Sequence, residues 1–232
     1  QIEVMNLFNE IFKKRKLNLS QILLTLEDTE TRRRAINAKR TLDNLFHLGF
    51  IPLVNENDSI ATSEIKYGDN DRLASRVAQI SGSDCLILLS DVDGLFDKNP
   101  KIDKNAELIN NVKEIDSKIE NYISKNISEH GTGGMKTKIE AAKICQISGC
   151  YMAIANGLID RPIKSILNNN YCTWFLPKIS KLDARKKWII SSISPKGELF
   201  IDDGAKKALL NGKSLLAAGI KKVSGKFSKG DH

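Results

Sequence analysis

Apolar residues along this 232-residue chain recur at helical and strand spacings, and the spacing changes at clusters of polar residues. Val4, Met5, Phe8, Ile11 and Phe12 share one face of an opening helix that ends in a basic cluster, as the helix dipole favours. Gln21 to Leu26 reads as a buried strand. Thr29 to Leu48 predicts a helix with Ala35, Ile36, Ala38, Leu42, Leu45 and Phe46 inward and Gly49 as its stop. Ile51 to Val54 then runs into Asn55-Glu56-Asn57-Asp58, which no buried strand could continue, so the strand surfaces there. Gly68-Asp69-Asn70-Asp71 opens a helix carrying Leu73, Ala74, Val77 and Ile80, with Asp69 or Asn70 as its cap and Gly82 as its stop. Cys85 to Leu89 is an unbroken apolar run of the kind buried on both faces, and it ends in Ser90-Asp91-Val92-Asp93-Gly94.

The polar stretch from Asp97 to Asn126 predicts little beyond a helix near Ile115 to Ile123. Residues 128–138, SEHGTGGMKTK, form a glycine-rich loop opening a helix in which Met135, Ile139, Ala142, Ile144 and Ile147 recur, with Gly149 as stop. Met152 to Ala155 is a strand, Arg161 to Leu167 a short helix and Thr173 to Leu176 a strand. The repeated order of strand, polar tip and helix predicts an α/β fold with a mainly parallel sheet and right-handed crossovers. In such a sheet ligands sit beyond the carboxyl ends of the strands, which makes the stretch from Ile51 to Asp71 a substrate-site candidate. A solvated loop with two capping residues accounts equally well for either polar cluster alone.

Charge divides the chain. Its net charge is +8, and residues 178–232 hold 13 Lys and Arg against 5 Asp and Glu, whereas the other 177 residues hold 23 of each. The boundary falls near Pro177 to Lys187, giving an expected first domain at 1–180 and a second module at 181–232. In the latter, Trp188 to Ile193, Glu198 to Ile201 and Lys221 to Val223 read as short strands around a small helix at Ala205 to Leu210. No run approaches the roughly 18 apolar residues of a membrane span, and no signal-peptide layout opens the chain, so no membrane partner and a cytoplasmic setting are expected. The start in mid-helix, without methionine, points to further sequence upstream. Cys85, Cys145, Cys150 and Cys172 lack CxxC spacing and read as buried free thiols; no residue is assigned to a metal.

The glycine-rich loop would let backbone N–H groups crowd an anion at a helix amino terminus, with Lys136 and Lys138 adding charge, although a plain turn fits it as well. Its spacing matches neither a Walker A loop nor GxGxxG. The motifs IPLVNENDSIAT, IKYGDNDRLAS, LLSDVDGLF and HGTGGMKTKIEAAK, in that order, resemble the glutamate 5-kinase branch of the amino-acid kinase family. The segments RKKWI, GELFIDDGAKKAL and GIKKVSGKFSKGD resemble the start of the PUA domain that many of these kinases carry. The resemblance implies a three-layer α/β/α sandwich followed by a truncated, β-rich PUA-like module. It also implies ATP-dependent phosphorylation of the γ-carboxylate of L-glutamate, the first step of proline synthesis, with ATP and Mg²⁺ as cofactors and a homo-oligomer as the assembly.

By the same resemblance Asn55, Asp58 and Asn70 bind glutamate. Asp71 organises catalytic lysines. Ser90 and Asp91 bind the nucleotide, as does the loop Gly131, Thr132, Gly133, Gly134, Met135, Lys136, Thr137 and Lys138, whose Lys138 meets the transferred phosphoryl group. The family's first strand, with its glycine-rich turn and lysine, and its serine-bearing glycine loop have no counterpart in this sequence, so the chain alone is expected to be incomplete for catalysis. Other readings stay open: an acetylglutamate, aspartate or uridylate kinase, a decayed fragment without activity, or a nucleic-acid binder acting through the basic tail, which would be strongly salt dependent.

The chemistry supports a kinase independently. A carboxylate with a pKa of about 4.3 is ionised at neutral pH and needs no general base. A site for it needs donors and cations to offset the repulsion between two anions, which Gly, Lys and Asp loops provide.

Overall fold

A capping box at Thr25 decides where the first strand stops. The Thr25 hydroxyl and backbone N–H donate to Asp28 Oδ2 at 2.7 and 2.8 Å, while Asp28 N–H donates back to Thr25 Oγ1 at 3.3 Å. This reciprocal bonding starts a helix at Leu26, so the strand expected at Gln21 to Leu26 lies instead at β1, Asn18–Leu24, and is only partly buried. The computed structural model describes residues 2–57, 69–100, 102–125, 134–168, 171–180, 182–184 and 197–225.

The chain divides into two compact units, 1–185 and 186–232. In the first, α1 (Ile2–Lys13) leads to β1, then α2 (Leu26–Glu30), α3 (Arg32–His47) and β2 (Phe50–Glu56). The single helix expected from Thr29 to Leu48 is therefore broken at Thr31, whose extended backbone (φ −77°, ψ 118°) caps both α2 and α3. Of its expected inward face Ala35 and Leu42 are buried, but Phe46 is 54% exposed. The apolar face of α1 is likewise exposed at Val4, Phe8 and Ile11. Next come α4 (Asp69–Ser81), β3 (Cys85–Ser90), β4 (Asn111–Val112), α5 (Ser117–Lys125), α6 (Met135–Ile147), β5 (Tyr151–Asn156), α7 (Pro162–Leu167) and β6 (Cys172–Phe175). Gly49, Gly82 and Gly149 end α3, α4 and α6 with φ near +70° (74°, 70° and 71°), where a side chain would be strained.

Among the described residues β1 and β2 pair in parallel, Asn18 opposite Phe50 through Leu24 opposite Glu56. The second sheet runs β3-β5-β6-β4. β3 is parallel to β5, and β4 is parallel to β6, but β5 and β6 are antiparallel. The α/β, mainly parallel architecture read from the sequence is the one observed. The strand buried on both faces, however, is β5, with Met152, Ala153, Ile154 and Ala155 at 3% exposure or less, because it lies between β3 and β6. β3 lies at the end of that order, so Leu89 is 49% exposed, and Cys85 is exposed where a buried thiol was expected. Cys145, Cys150 and Cys172 are buried free thiols.

Helix α4 carries the core across from one sheet to the other. Leu73 packs with Leu24 and Leu26 of the first layer, against which Val54 and Val77 rest. One turn on, Ala78 joins the larger core of Leu88, Leu95, Val112, Ile139, Cys145, Met152, Ile154 and Phe175. Burying such side chains is worth roughly 25 cal/mol per Å² of apolar surface, and it is what fixes α4 against α6. Ile147, expected inward on α6, is 56% exposed; Ala141 and Gln146 are buried instead. The Gln146 amide is satisfied there, donating to the Lys113 carbonyl at 3.1 Å.

In the second unit β7 (Gly197–Ile201) pairs antiparallel with β8 (Ile220–Gly225), with α8 (Asp203–Leu210) between them. Asp202 caps α8 through Ala205 N–H at 2.7 Å. No described residue of this unit is buried, and the strand expected at Trp188 to Ile193 lies outside the described residues.

Candidate functional site

The amino-terminal turns of α4 and α6 meet because the two helices pack side by side. Asp71, in the first turn of α4, presents Oδ2 to two donors from the first turn of α6. The Thr137 hydroxyl donates at 2.9 Å and Lys138 Nζ at 3.1 Å. The Lys138 and Asp71 side chains are 14% and 21% exposed, so this ion pair is shielded from solvent screening more than a surface pair. Thr137 Oγ also lies 3.0 Å from the carbonyl of Gly134, the residue that caps α6 and has no side chain of its own to bond the first turn. A helix amino terminus next to a lysine suits an anion.

Asn55, exposed on β2, and Asn70, exposed in the first turn of α4, line one groove of about 410 Å³. Its walls are Pro52 and Val54 of β2 and Cys85 and Leu86 of β3, and Leu73, Ala74, Val77 and Ala78 of α4 also line it. Asn70 shares its helix turn with Asp71, the residue that holds Lys138, and Asn55 of β2 lines the same groove as Asn70. Ser90 and Asp91 stand at the end of β3, where Ser90 Oγ donates to Asp91 Oδ1 at 3.1 Å. Met135 is partly buried against the larger core and Lys136 is exposed on the first turn of α6. Asp58, Gly131, Thr132 and Gly133 lie outside the described residues.

The sequence reading gave Thr137 a nucleotide role and did not foresee its bond to Asp71; an i, i+1 Thr-Lys pair reaching one carboxylate depends on how two helices pack. It assigns no functional role to Asp93, Asn156 or Thr173. The 3.0 Å bond from Asn156 Nδ2 to Asp93 Oδ1 joins the ends of β5 and β3, and buried Thr173 Oγ1 accepts the Leu95 N–H at 2.7 Å. The Asn156-Gly157 dipeptide that ends an apolar strand was the available signal, the same pattern that drew notice at Ser90-Asp91.

Among the described residues no group of three His, Cys, Asp or Glu side chains could hold a metal ion, and no helix is long and apolar enough to cross a membrane. The chain is 78% identical over its whole length to the glutamate 5-kinase of Pelagibacter ubique, covering 63% of that protein. It is 50% identical over 231 residues to the glutamate 5-kinase of Rhizobium etli, covering 59% of it, so it spans about three fifths of the curated relatives it matches. An X-ray structure of isopentenyl phosphate kinase superposes with a TM-score of 0.50 at 17% identity, over 75% of this chain and 65% of that one, which is a likeness of fold. Residues 197–232 match the PUA domain. Residues 1–156 match the Amino acid kinase family, and with the fold and the paired helix termini described above, the chain belongs to that family.

Proposed function

We propose that this chain forms most of the catalytic part of a glutamate 5-kinase, which transfers the γ-phosphoryl group of ATP to the γ-carboxylate of L-glutamate. A γ-carboxylate oxygen attacks the γ-phosphorus; the new O–P bond forms as the bond to the β-phosphate oxygen breaks, and ADP leaves. The observation that carries this reading is the Asp71 carboxylate shared by Thr137 and Lys138, which fixes a lysine at the amino terminus of α6, with Asn70 next to Asp71 in the same turn of α4. The identities to proteins named glutamate 5-kinase support the choice of substrate.

In this reading Lys138 offsets charge on the phosphoryl group in flight, and the first-turn N–H groups of α6 with the Gly131 to Gly134 segment receive the phosphates. Asn55, Asn70 and Asp58 hold glutamate, the carboxylate taking its ammonium and the amides donating to its carboxylates. Ser90 and Asp91 hold the nucleotide. Mg²⁺ is usually bound by one or two carboxylates plus substrate phosphates and water, and Asp91, exposed at the end of β3, offers one such carboxylate. Asp91 would hold it, and the ion would neutralise the β- and γ-phosphates. Residues 1–180 form the kinase domain and 181–232 the start of a PUA domain; a homo-oligomer and a cytoplasmic setting belong to the same reading. The test is ADP formation by the full-length protein with Mg²⁺ and, in turn, glutamate, N-acetylglutamate, aspartate and uridine monophosphate. Turnover with glutamate alone supports the proposal, and preference for any other acceptor refutes it.

A further inference from the structure

We infer that Asn156 is a positioning residue for the nucleotide, acting by locking the loop that follows β3. The inference rests on the proposed nucleotide role of Ser90 and Asp91. Ser90 and Asn156 are register partners at the ends of parallel strands, and Gly157 N–H donates to the Ser90 carbonyl at 2.7 Å. The Asn156 amide uses both of its ends. Nδ2 donates to Asp93 Oδ1 at 3.0 Å, and Oδ1 accepts the Leu158 N–H at 2.9 Å. Asp93 is two residues beyond Asp91, so this bond ties down the turn on which Asp91 rides. Its far end is fixed independently, by the Thr173 hydroxyl on Leu95 N–H and by Gly94, where an added Cβ would lie 2.4 Å from Thr173 Oγ1. Asn156 therefore controls the one end of the turn that meets the strand tip.

The side chain must be an amide. A carboxylate there would still accept from Leu158 but would face the Asp93 carboxylate at about hydrogen-bonding distance, and like charges so close repel. Alanine would leave the turn free to leave its binding-competent form. If that form fell to about one tenth of the population, apparent nucleotide affinity would fall about tenfold while the acceptor side was untouched.

The experiment uses the full-length protein. ATP affinity is measured by calorimetry with Mg²⁺, the kinetic constants for ATP and glutamate by ADP formation, and folding by thermal unfolding. Asn156→Ala is expected to raise Kd and KM for ATP about tenfold, with kcat and the glutamate KM within about twofold. Asn156→Asp is expected to be worse. The exchange Asp93→Asn with Asn156→Asp reverses the bond, the amide now donating from the loop to a carboxylate on the strand, and is expected to restore ATP affinity to within about threefold. An unchanged ATP Kd in the single variants, or a loss confined to thermal stability, would overturn the inference. So would an exchange that fails to restore binding, because Asp93 would then touch the nucleotide itself. A wild-type protein that binds no ATP overturns the nucleotide reading and the inference with it, whereas a wild type that binds ATP no better than its variants overturns the inference alone.

Discussion

Lys138→Ala in the full-length protein should separate catalysis from binding. At 3.1 Å from Asp71 Oδ2, the lysine has a gross attraction of about 5 kcal/mol at an effective dielectric of about 20. Most of that is offset by desolvation of two side chains only 14% and 21% exposed. The pair's net contribution to folding is therefore small, and Asp71 keeps the Thr137 hydroxyl when the lysine is removed. The catalytic effect should be larger. A cation poised on charge that develops only in the transition state typically supplies about 3 kcal/mol, or roughly a hundredfold in rate. Steady-state kinetics with glutamate and Mg-ATP should show kcat lowered about a hundredfold and the ATP KM changed by less than about threefold. A variant that kept its kcat while its ATP KM rose would refute the reasoning, since Lys138 would then be a ground-state binder.

Three further outcomes follow from particular contacts. Asn70→Ala should raise the glutamate KM about tenfold, the scale of a lost bond to a charged group at about 1.5 to 3 kcal/mol, and leave the ATP KM alone; an unchanged glutamate KM would place the acceptor elsewhere. Burial pulls the Asp28 carboxyl up, but the bonds from Thr25 and the Arg34 guanidinium outweigh it and hold its pKa below the usual value, so its stabilising effect is present above the unfolded carboxylate pKa and lost as pH falls through the folded one. Unfolding measured from pH 6 down to pH 2 should therefore show Asp28→Asn narrowing its deficit against wild type on acidification, and a constant deficit would contradict this. Gly94→Ala should destabilise by at least about 1 to 3 kcal/mol in denaturant titrations, because the new methyl group meets buried Thr173 and threatens its bond to Leu95; stability within 0.5 kcal/mol of wild type, a margin of about surface-substitution size, would mean that the turn relaxes freely.

The alternation of apolar runs with polar tips was legible in the sequence because it is local: side-chain periodicity and glycine stops are properties of a few adjacent residues. It located β2, α4, β3, α6 and β5 to within a residue or two, and it put Asn55, Asn70, Asp71, Ser90, Asp91 and Lys138 at element ends. What it could not show is which strand lies inside. β3 and β5 are both unbroken apolar runs, and only pairing made β5 the strand with neighbours on both sides and left Leu89 of β3 half exposed. The break at Thr31 is not legible because the capping box at Thr25 and Asp28 opens a separate short helix, Leu26–Glu30, that runs from the expected strand into the expected helix. The contacts that define the site are likewise tertiary. Asp71 meets Thr137 and Lys138 across 66 and 67 residues, and Asn156 meets Asp93 across 63. Such bonds depend on how α4 lies against α6 and how β3 lies beside β5, and burial of the shared core sets that arrangement rather than any property of the residues that form the bonds.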